Sequence, residues 1–199
     1  MDFEDIEELI PEEVAGACGM VSPLIAYIFI GASILIHRSW FTWADNALSD
    51  LGAVGTPYNQ VFNVGLILSG VLGLIFMLGA LRIAEEKLGK LGIGIFGAGL
   101  VALILIGIFP SGTSPHYIVS ILFFGLTAAG LLIFGIDQMW DFNEPVWGIL
   151  VLTSIILPGI AVYLVYTIPY DLGAAIPEFI GSIPAVQFSL VFGAGLYFE

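Results

Sequence analysis

The stretch HRSWFTWADNALSDLG, residues 37–52, decides the fold, because it separates two apolar segments that are each long enough to cross a bilayer. It contains a histidine, an arginine, two aspartates, an asparagine and two tryptophans. Such side chains are costly to hold near lipid, so a membrane protein keeps them where they contact protein or face water. Asp45 is a candidate N-cap and Gly52 a candidate end residue. We therefore predict a short helical or re-entrant loop between the first two spans.

Composition indicates a polytopic membrane protein. Of the 199 residues, 59% are hydrophobic and 11% are charged, and the mean hydropathy is +1.05. A soluble domain is about 45–50% apolar and about 25% charged. Because a span takes about 20 residues, the length predicts an all-α bundle of six transmembrane helices. The predicted spans are 19–36, 61–81, 91–109, 117–136, 146–166 and 176–198.

Charge is distributed unevenly along the chain, whose net charge is −13. Seven of the 17 acids lie within the first 13 residues, so residues 1–14 are predicted to form an acidic interfacial segment before a transmembrane domain at 15–199. The acidic excess is compatible with a salt-adapted, archaeal or other prokaryotic source. Four basic residues cannot form a nucleic-acid-binding surface, and a lone Cys18 excludes an internal disulfide.

Orientation follows from the few basic residues. Three of the four, Arg82, Lys87 and Lys90, lie between spans two and three. The positive-inside rule therefore places this loop, and by alternation both termini, in the cytoplasm of a multi-pass cell-membrane protein. The loops after spans one, three and five then face outside, and they hold both histidines of the chain.

The outward loops gather the polar residues that we predict to form a ligand site. Residues 37–52 form one wall, and Pro110–His116 and Tyr170–Asp171 are candidate opposing walls. The candidate ligand-binding residues are His37, Arg38, Asp45, Asn46, Ser49, Asp50, Asn63, His116 and Asp171.

Three ordered segments carry a family resemblance: NALSDLG at 46–52, FNVGL at 62–66, and GIFP at 107–110 followed by His116. They resemble a family of small prokaryotic six-span membrane proteins described as a domain of unknown function, with an N-x-[LI]-S-D-L-G loop, an F-N-x-G-L span and a G-x-F-P…H corner. The chain is also distantly similar to the group of Frag1, DRAM and Sfk1 membrane proteins. The resemblance covers roughly residues 39–135. It implies a six-helix fold and a polar site built from these residues, and it implies no reaction.

A membrane-embedded hydrolase acting on a lipid is the enzymatic alternative. Ser49 or Ser111, with His116 and Asp50, supplies the residue types of a nucleophile, a base and an orienting acid, although neither serine lies in a nucleophile-elbow sequence. His37, His116 and Asp50 supply the donor types of a metal site. Two histidines without an HxxxH or HExxH pair do not match zinc hydrolase patterns, so we predict no cofactor.

The same residues also have a purely structural interpretation. Asp50 would cap the loop, Arg38 would pair with Asp45 or Asp50, and His116 would cap its span or bind a loop carbonyl. Asn46 and Ser49 would satisfy loose backbone groups. This interpretation and the functional one stay open at the level of sequence.

A small-solute transporter is a third alternative. Spans two to six carry almost no ionisable residue at mid-bilayer, where ion-coupled pathways normally have buried carboxylates. Pro158 in span five and Pro184 in span six could produce discontinuous helices, or simply kinks.

We therefore expect an integral membrane protein whose extracytoplasmic polar site binds a membrane lipid or a small ligand; whether it is an enzyme stays open. The row Gly65–Ser69–Gly73 in span two predicts a close-packing helix face. Faces of this kind also allow a homo-oligomer.

Overall fold

The computed structural model describes residues 10–82, 84, 86–140, 145–167 and 173–198, and over these residues the regular structure is helical throughout. Each of its six α-helices is long and apolar enough to cross a membrane. The predicted all-α bundle of six spans is therefore confirmed. The helices run Glu12–Ile36 (α1), Asn59–Ala80 (α2), Lys87–Ile108 (α3), His116–Trp140 (α4), Pro145–Thr167 (α5) and Ala175–Phe198 (α6).

Helix α1 begins seven residues before the predicted start of span one, directly after Pro11. Its first turn is held by Arg82, which donates to the Ile10 carbonyl at 2.9 Å and pairs with Glu12 at 3.6 Å. Packing also favours the longer helix, since Gly16 is buried against the backbone of α6. The predicted segment boundary at residue 14 thus falls inside α1. Most of the predicted interfacial segment, residues 1–9, lies outside the described residues.

The six helices form a closed ring. Helices that follow one another in sequence pack side by side, and α6 packs on α1 to complete the ring. Helix α6 also contacts α2 and α4 across the bundle. We call the end that carries Arg82, Lys87 and Lys90 the basic end. The opposite end, which carries residues 37–58 and 109–115 and the start of α6, is the loop end.

Aromatic rings fill the half of the bundle nearer the basic end. Phe188 of α6 lies at the centre, with ring centroids 5.7, 5.2 and 5.4 Å from those of Phe76, Phe96 and Phe134. Phe192, one turn further along α6, adds a fourth contact at 4.8 Å. Edge-to-face and tilted pairs of this kind contribute beyond the area that they bury. This half is therefore well packed, in contrast to the loop end.

The predicted close-packing row of α2 is used inside the chain. Gly65 lies against the Phe29 side chain of α1, and the Ser69 carbonyl accepts a hydrogen bond from the Ser22 hydroxyl at 2.9 Å. Gly73 contacts Leu100 of α3. The row is thus buried between neighbouring helices of one protomer, and a homo-oligomer would have to use other surfaces.

A short 3-10 helix, Leu48–Gly52, forms in the loop between α1 and α2. The predicted helical excursion and its end at Gly52 are confirmed. The prediction that Asp45 caps it is wrong, because the N-cap is Ala47, whose N–H is bound by Asp50. Asp45 instead accepts from the Thr42 hydroxyl at 2.6 Å, outside the helix.

Candidate functional site

Backbone hydrogen bonds tie the loops of the loop end to one another. The Val54 N–H binds the Ser111 carbonyl at 2.9 Å, which joins the first loop to the corner between α3 and α4. The Gly173 N–H binds the Ala44 carbonyl, and the Ala175 N–H binds the Asn46 carbonyl at 2.8 Å. The loop after α1 is therefore fixed both to the α3–α4 corner and to the start of α6. The contact with the α3–α4 corner is made by Val54, just after residues 37–52.

Of the third predicted wall, Tyr170 and Asp171 lie outside the described residues. The described chain resumes at Gly173, whose position against the backbone of Asn46 leaves no room for a Cβ atom.

His37 is buried at the end of α1 and links two segments of backbone. Its Nδ1 lies 2.8 Å from the Ser33 carbonyl oxygen and its Nε2 lies 2.8 Å from the Pro57 carbonyl oxygen. Both partners are acceptors, so a ring N–H donates to the backbone at one of these contacts. Together the contacts fix the return of the chain toward α2 and place backbone oxygen against both ring nitrogens.

His116 opens α4 at the corner after α3. Its Nδ1 lies 2.9 Å from the Phe109 carbonyl oxygen, as the structural interpretation predicts, and its own carbonyl accepts from the Ser120 hydroxyl. The Ser111 side chain forms no hydrogen bond in the described part of the chain. His116 therefore closes the corner, and it is not hydrogen-bonded to Ser111, Ser49 or Asp50.

The two aspartates of the loop bind local partners. Asp50 Oδ2 accepts from the Ala47 N–H at 2.9 Å and lies 3.5 Å from Asn46 Nδ2, so the predicted capping role of Asp50 is observed. Asp45 and Asn46 both bind Thr42. The prediction that Arg38 pairs with one of these aspartates is wrong, because Arg38 is exposed and has no ion pair among the described residues.

Asn63 of α2 is buried and donates to the Gly52 carbonyl at 3.0 Å. It thus anchors the 3-10 helix to the bundle. Among the residues that the structure describes, no three His, Cys, Asp or Glu side chains come together in a group that could hold a metal ion.

The side chain that sequence reasoning missed is Glu178, in the first turn of α6. Its Oε2 accepts from the Leu48 N–H at 2.6 Å and from the Ser49 N–H at 3.4 Å. Glu178 therefore binds the amino end of the 3-10 helix, although 130 residues of sequence separate it from Leu48. No basic side chain forms an ion pair with it in the described ranges.

A cavity of about 110 Å³ lies below the 3-10 helix, between α1, α2, α3, α4 and α6. Leu48, Ser49 and Glu178 line its outer end, and it follows α6 as far as Ser189. Its wall is largely apolar, with a few serine hydroxyls and Tyr27 as the remaining polar groups. Small-molecule sites share this composition of the wall, a few polar groups among apolar side chains, at volumes of about 300–1,000 Å³.

A second space, of about 380 Å³, is a groove between α4, α5 and α6. Pro158 and Gly159 of α5 and Gly181 and Pro184 of α6 line it. Both helices continue through their prolines, so the alternative of discontinuous helices is not observed. The prolines instead lie along the groove.

The groove and the cavity meet at Phe124 and Glu178, which line both. The Phe124 ring lies against Gly181, where an added Cβ atom would be only 3.1 Å from the ring. The Phe124 ring on α4 and the Glu178 carboxylate on α6 thus lie between the groove and the cavity.

A family model matches most of the chain. The family described as "Protein of unknown function (DUF998)" matches residues 20–195. No curated protein matches the chain, and no solved structure matches it. The expected likeness to the Frag1, DRAM and Sfk1 group finds no support in these comparisons.

Proposed function

Because the chain belongs to the DUF998 family, whose function is unknown, we propose a function from its geometry: it binds a membrane lipid or similar small amphiphile in the central cavity. The observation that carries this proposal is the apolar cavity, polar at its loop end, which meets a lateral groove at Phe124 and Glu178. An amphiphile needs an apolar chamber, a polar end and a path from the bilayer. The cavity, its loop end and the groove supply these in turn.

The cavity suits an apolar chain better than water. A buried water needs two to four polar partners, whereas most of the wall consists of apolar side chains such as Leu66, Leu100 and Phe123. The one charged side chain among the described lining residues, Glu178, lies at the loop end. An alkyl chain would bury apolar surface at roughly 25 cal/mol per Å², while its head group stays at the loop end.

The groove supports access from the side. Helix α5 packs chiefly against α4 and α6, and its candidate span is the least buried of the six. Gly159 faces open space, with no atom within 4 Å of an added Cβ. A ligand that diffuses laterally in the bilayer can therefore approach Glu178 between α4 and α6.

The proposal includes a location and an orientation. The basic loop between α2 and α3 supports a cell-membrane protein with both termini in the cytoplasm and the loop end outside. The acidic composition supports a salt-adapted prokaryotic source, such as an archaeon. The proposed activity is binding, since Ser49, Asp50 and His116 each contact separate groups and form no hydrogen-bonded nucleophile system.

A substitution that fills the cavity tests the proposal. Ala185→Phe places a ring in the cavity that Ala185 lines, and Ala129→Phe is the matched control at an exposed position of α4. Each purified variant is washed extensively in detergent, and its retained amphiphiles are quantified by mass spectrometry. We expect Ala185→Phe to retain several-fold less than the wild type and than Ala129→Phe. Equal retention in all three would overturn the proposal.

A further inference from the structure

Resting on the amphiphile cavity proposed above, we propose a ligand class: a single-chain amphiphile with an ammonium head group that pairs with Glu178. Glu178 lines both the cavity and the groove, so a head group that arrives by either path meets its carboxylate. The class follows from three features of the site, namely its charge, the direction of its hydrogen bonds and its volume.

The site carries a carboxyl group and has no counter-cation among the described lining residues. Asp50 lies close enough to Glu178 to add to the negative potential at that carboxylate. No lysine or arginine is among the described residues that line the cavity or the groove. Three of the four basic residues are at the basic end, and Arg38 is exposed. A phosphate or carboxylate head group would therefore be repelled, whereas a cation would offset the unpaired charge.

The polar atoms of the cavity mostly accept hydrogen bonds. The Ser182 hydroxyl donates to the Phe179 carbonyl at 2.7 Å, so the Tyr27 hydroxyl must donate to Ser182 in their 2.9 Å contact. The Ser120 hydroxyl likewise donates to a backbone carbonyl. Their hydrogens are thus engaged while oxygen lone pairs remain. A ligand that brings donors is satisfied here, and one that brings only acceptors is not.

Glu178 itself has acceptor capacity left. Both backbone N–H groups bind Oε2, and the Ser49 hydroxyl is a further neighbour. An ionised carboxylate has about four acceptor positions. An ammonium group carries three donors, and its bond to a carboxylate is roughly twice as strong as a neutral one. An ammonium therefore fits Glu178 better than a hydroxyl head group does.

The volume of the cavity allows at most one chain. From Glu178 to Ser189 the cavity follows α6 for eleven residues, or about 16 Å at 1.5 Å per residue. Its volume is only about 110 Å³, so the paired chains of a bilayer-forming lipid do not fit and at most one alkyl chain can enter.

The test compares three probes that share one chain and differ in head group: dodecylamine, dodecanol and dodecanoate. Apparent dissociation constants are measured by native mass spectrometry on full-length protein in a neutral detergent. The variants are Glu178→Gln, which keeps an oxygen to accept from Leu48, and Glu86→Gln, the control on an exposed carboxylate at the basic end. Wild-type protein should bind dodecylamine at least about tenfold more tightly than dodecanol, and dodecanoate least of all.

We expect Glu178→Gln to weaken the binding of dodecylamine to the level of dodecanol, and Glu86→Gln to leave it within about twofold of the wild type. The ammonium assignment would be overturned if Glu178→Gln bound dodecylamine as tightly as the wild type does. It would also be overturned if the wild type bound dodecanoate as tightly as dodecylamine. The probe ranking on wild-type protein decides the matter even if Glu178→Gln fails to fold. The amphiphile cavity itself would fail separately, if Ala185→Phe left the binding of every probe unchanged.

Discussion

Asn63 holds three segments of the chain together at the loop end. Its side-chain amide binds the Gly52 carbonyl, and Gly107 lies against its backbone, with an added Cβ only 2.5 Å from the Asn63 carbonyl oxygen. Asn63 and Gly52 belong to two of the segments that carry the family resemblance, and Gly107 belongs to the third. These residues therefore have a packing role that needs no ligand.

Gly52→Ala should destabilise the protein. An added Cβ would overlap the Asn63 side-chain oxygen and come within 2.6 Å of the Phe62 ring. Overpacking of this kind costs about 1–3 kcal/mol, so we expect a lower Tm in detergent. Gly125→Ala is the control, because Gly125 has open space around it in α4 and alanine should be neutral or about 0.5–1 kcal/mol stabilising there. Equal Tm values for the two variants would contradict this steric role of Gly52.

At the residue scale, sequence reasoning predicted local bonds and missed distant ones. The capping role of Asp50 spans three residues, and the His116–Phe109 contact spans seven. Turn and cap chemistry is encoded at that range. The contact between Glu178 and Leu48 depends on the packing of α6 against the first loop, which no spacing reveals. The one signal in the sequence that could have indicated this contact was Glu178 itself, a lone acid beside Pro177 at the start of an apolar span.

At the scale of elements, hydropathy predicted all six helices, because each must bury its backbone polar groups within itself in lipid. It could not predict their contacts or the start of α1, which close approach to α6 favours. Nor could it show that Pro158 and Pro184 lie along one groove. Pro158 and Gly159 give α5 one side of that groove.

Blocking the groove should slow ligand uptake without changing the cavity. Gly159→Phe projects a ring into the open space of the groove, and Gly125→Phe adds the same ring at an equally open helical glycine elsewhere. We expect Gly159→Phe to lower the association rate of dodecylamine several-fold in stopped-flow measurements, while Gly125→Phe matches the wild type. Unchanged uptake by Gly159→Phe would show that ligands reach the cavity by another route.

At the scale of the whole molecule, the ring divides into a packed half and an open half. The phenylalanine cluster around Phe188 fills the half nearer the basic end, and the cavity occupies the half nearer the loop end. The proposed ligand site would therefore open toward only one side of the membrane. Its direction depends on which end faces the cytoplasm.

That direction can be measured with cysteines placed at each end in a Cys18→Ala background. Ser114→Cys reports the loop end and Glu86→Cys the basic end; both positions are exposed, and neither change removes a basic residue that sets orientation. A membrane-impermeant maleimide should label Ser114→Cys on intact cells and Glu86→Cys only after permeabilisation. The reverse pattern would place the cavity opening in the cytoplasmic leaflet. Glu178 would then meet amphiphiles of the inner leaflet. The positive-inside rule, applied to Arg82, Lys87 and Lys90, would have given the wrong orientation.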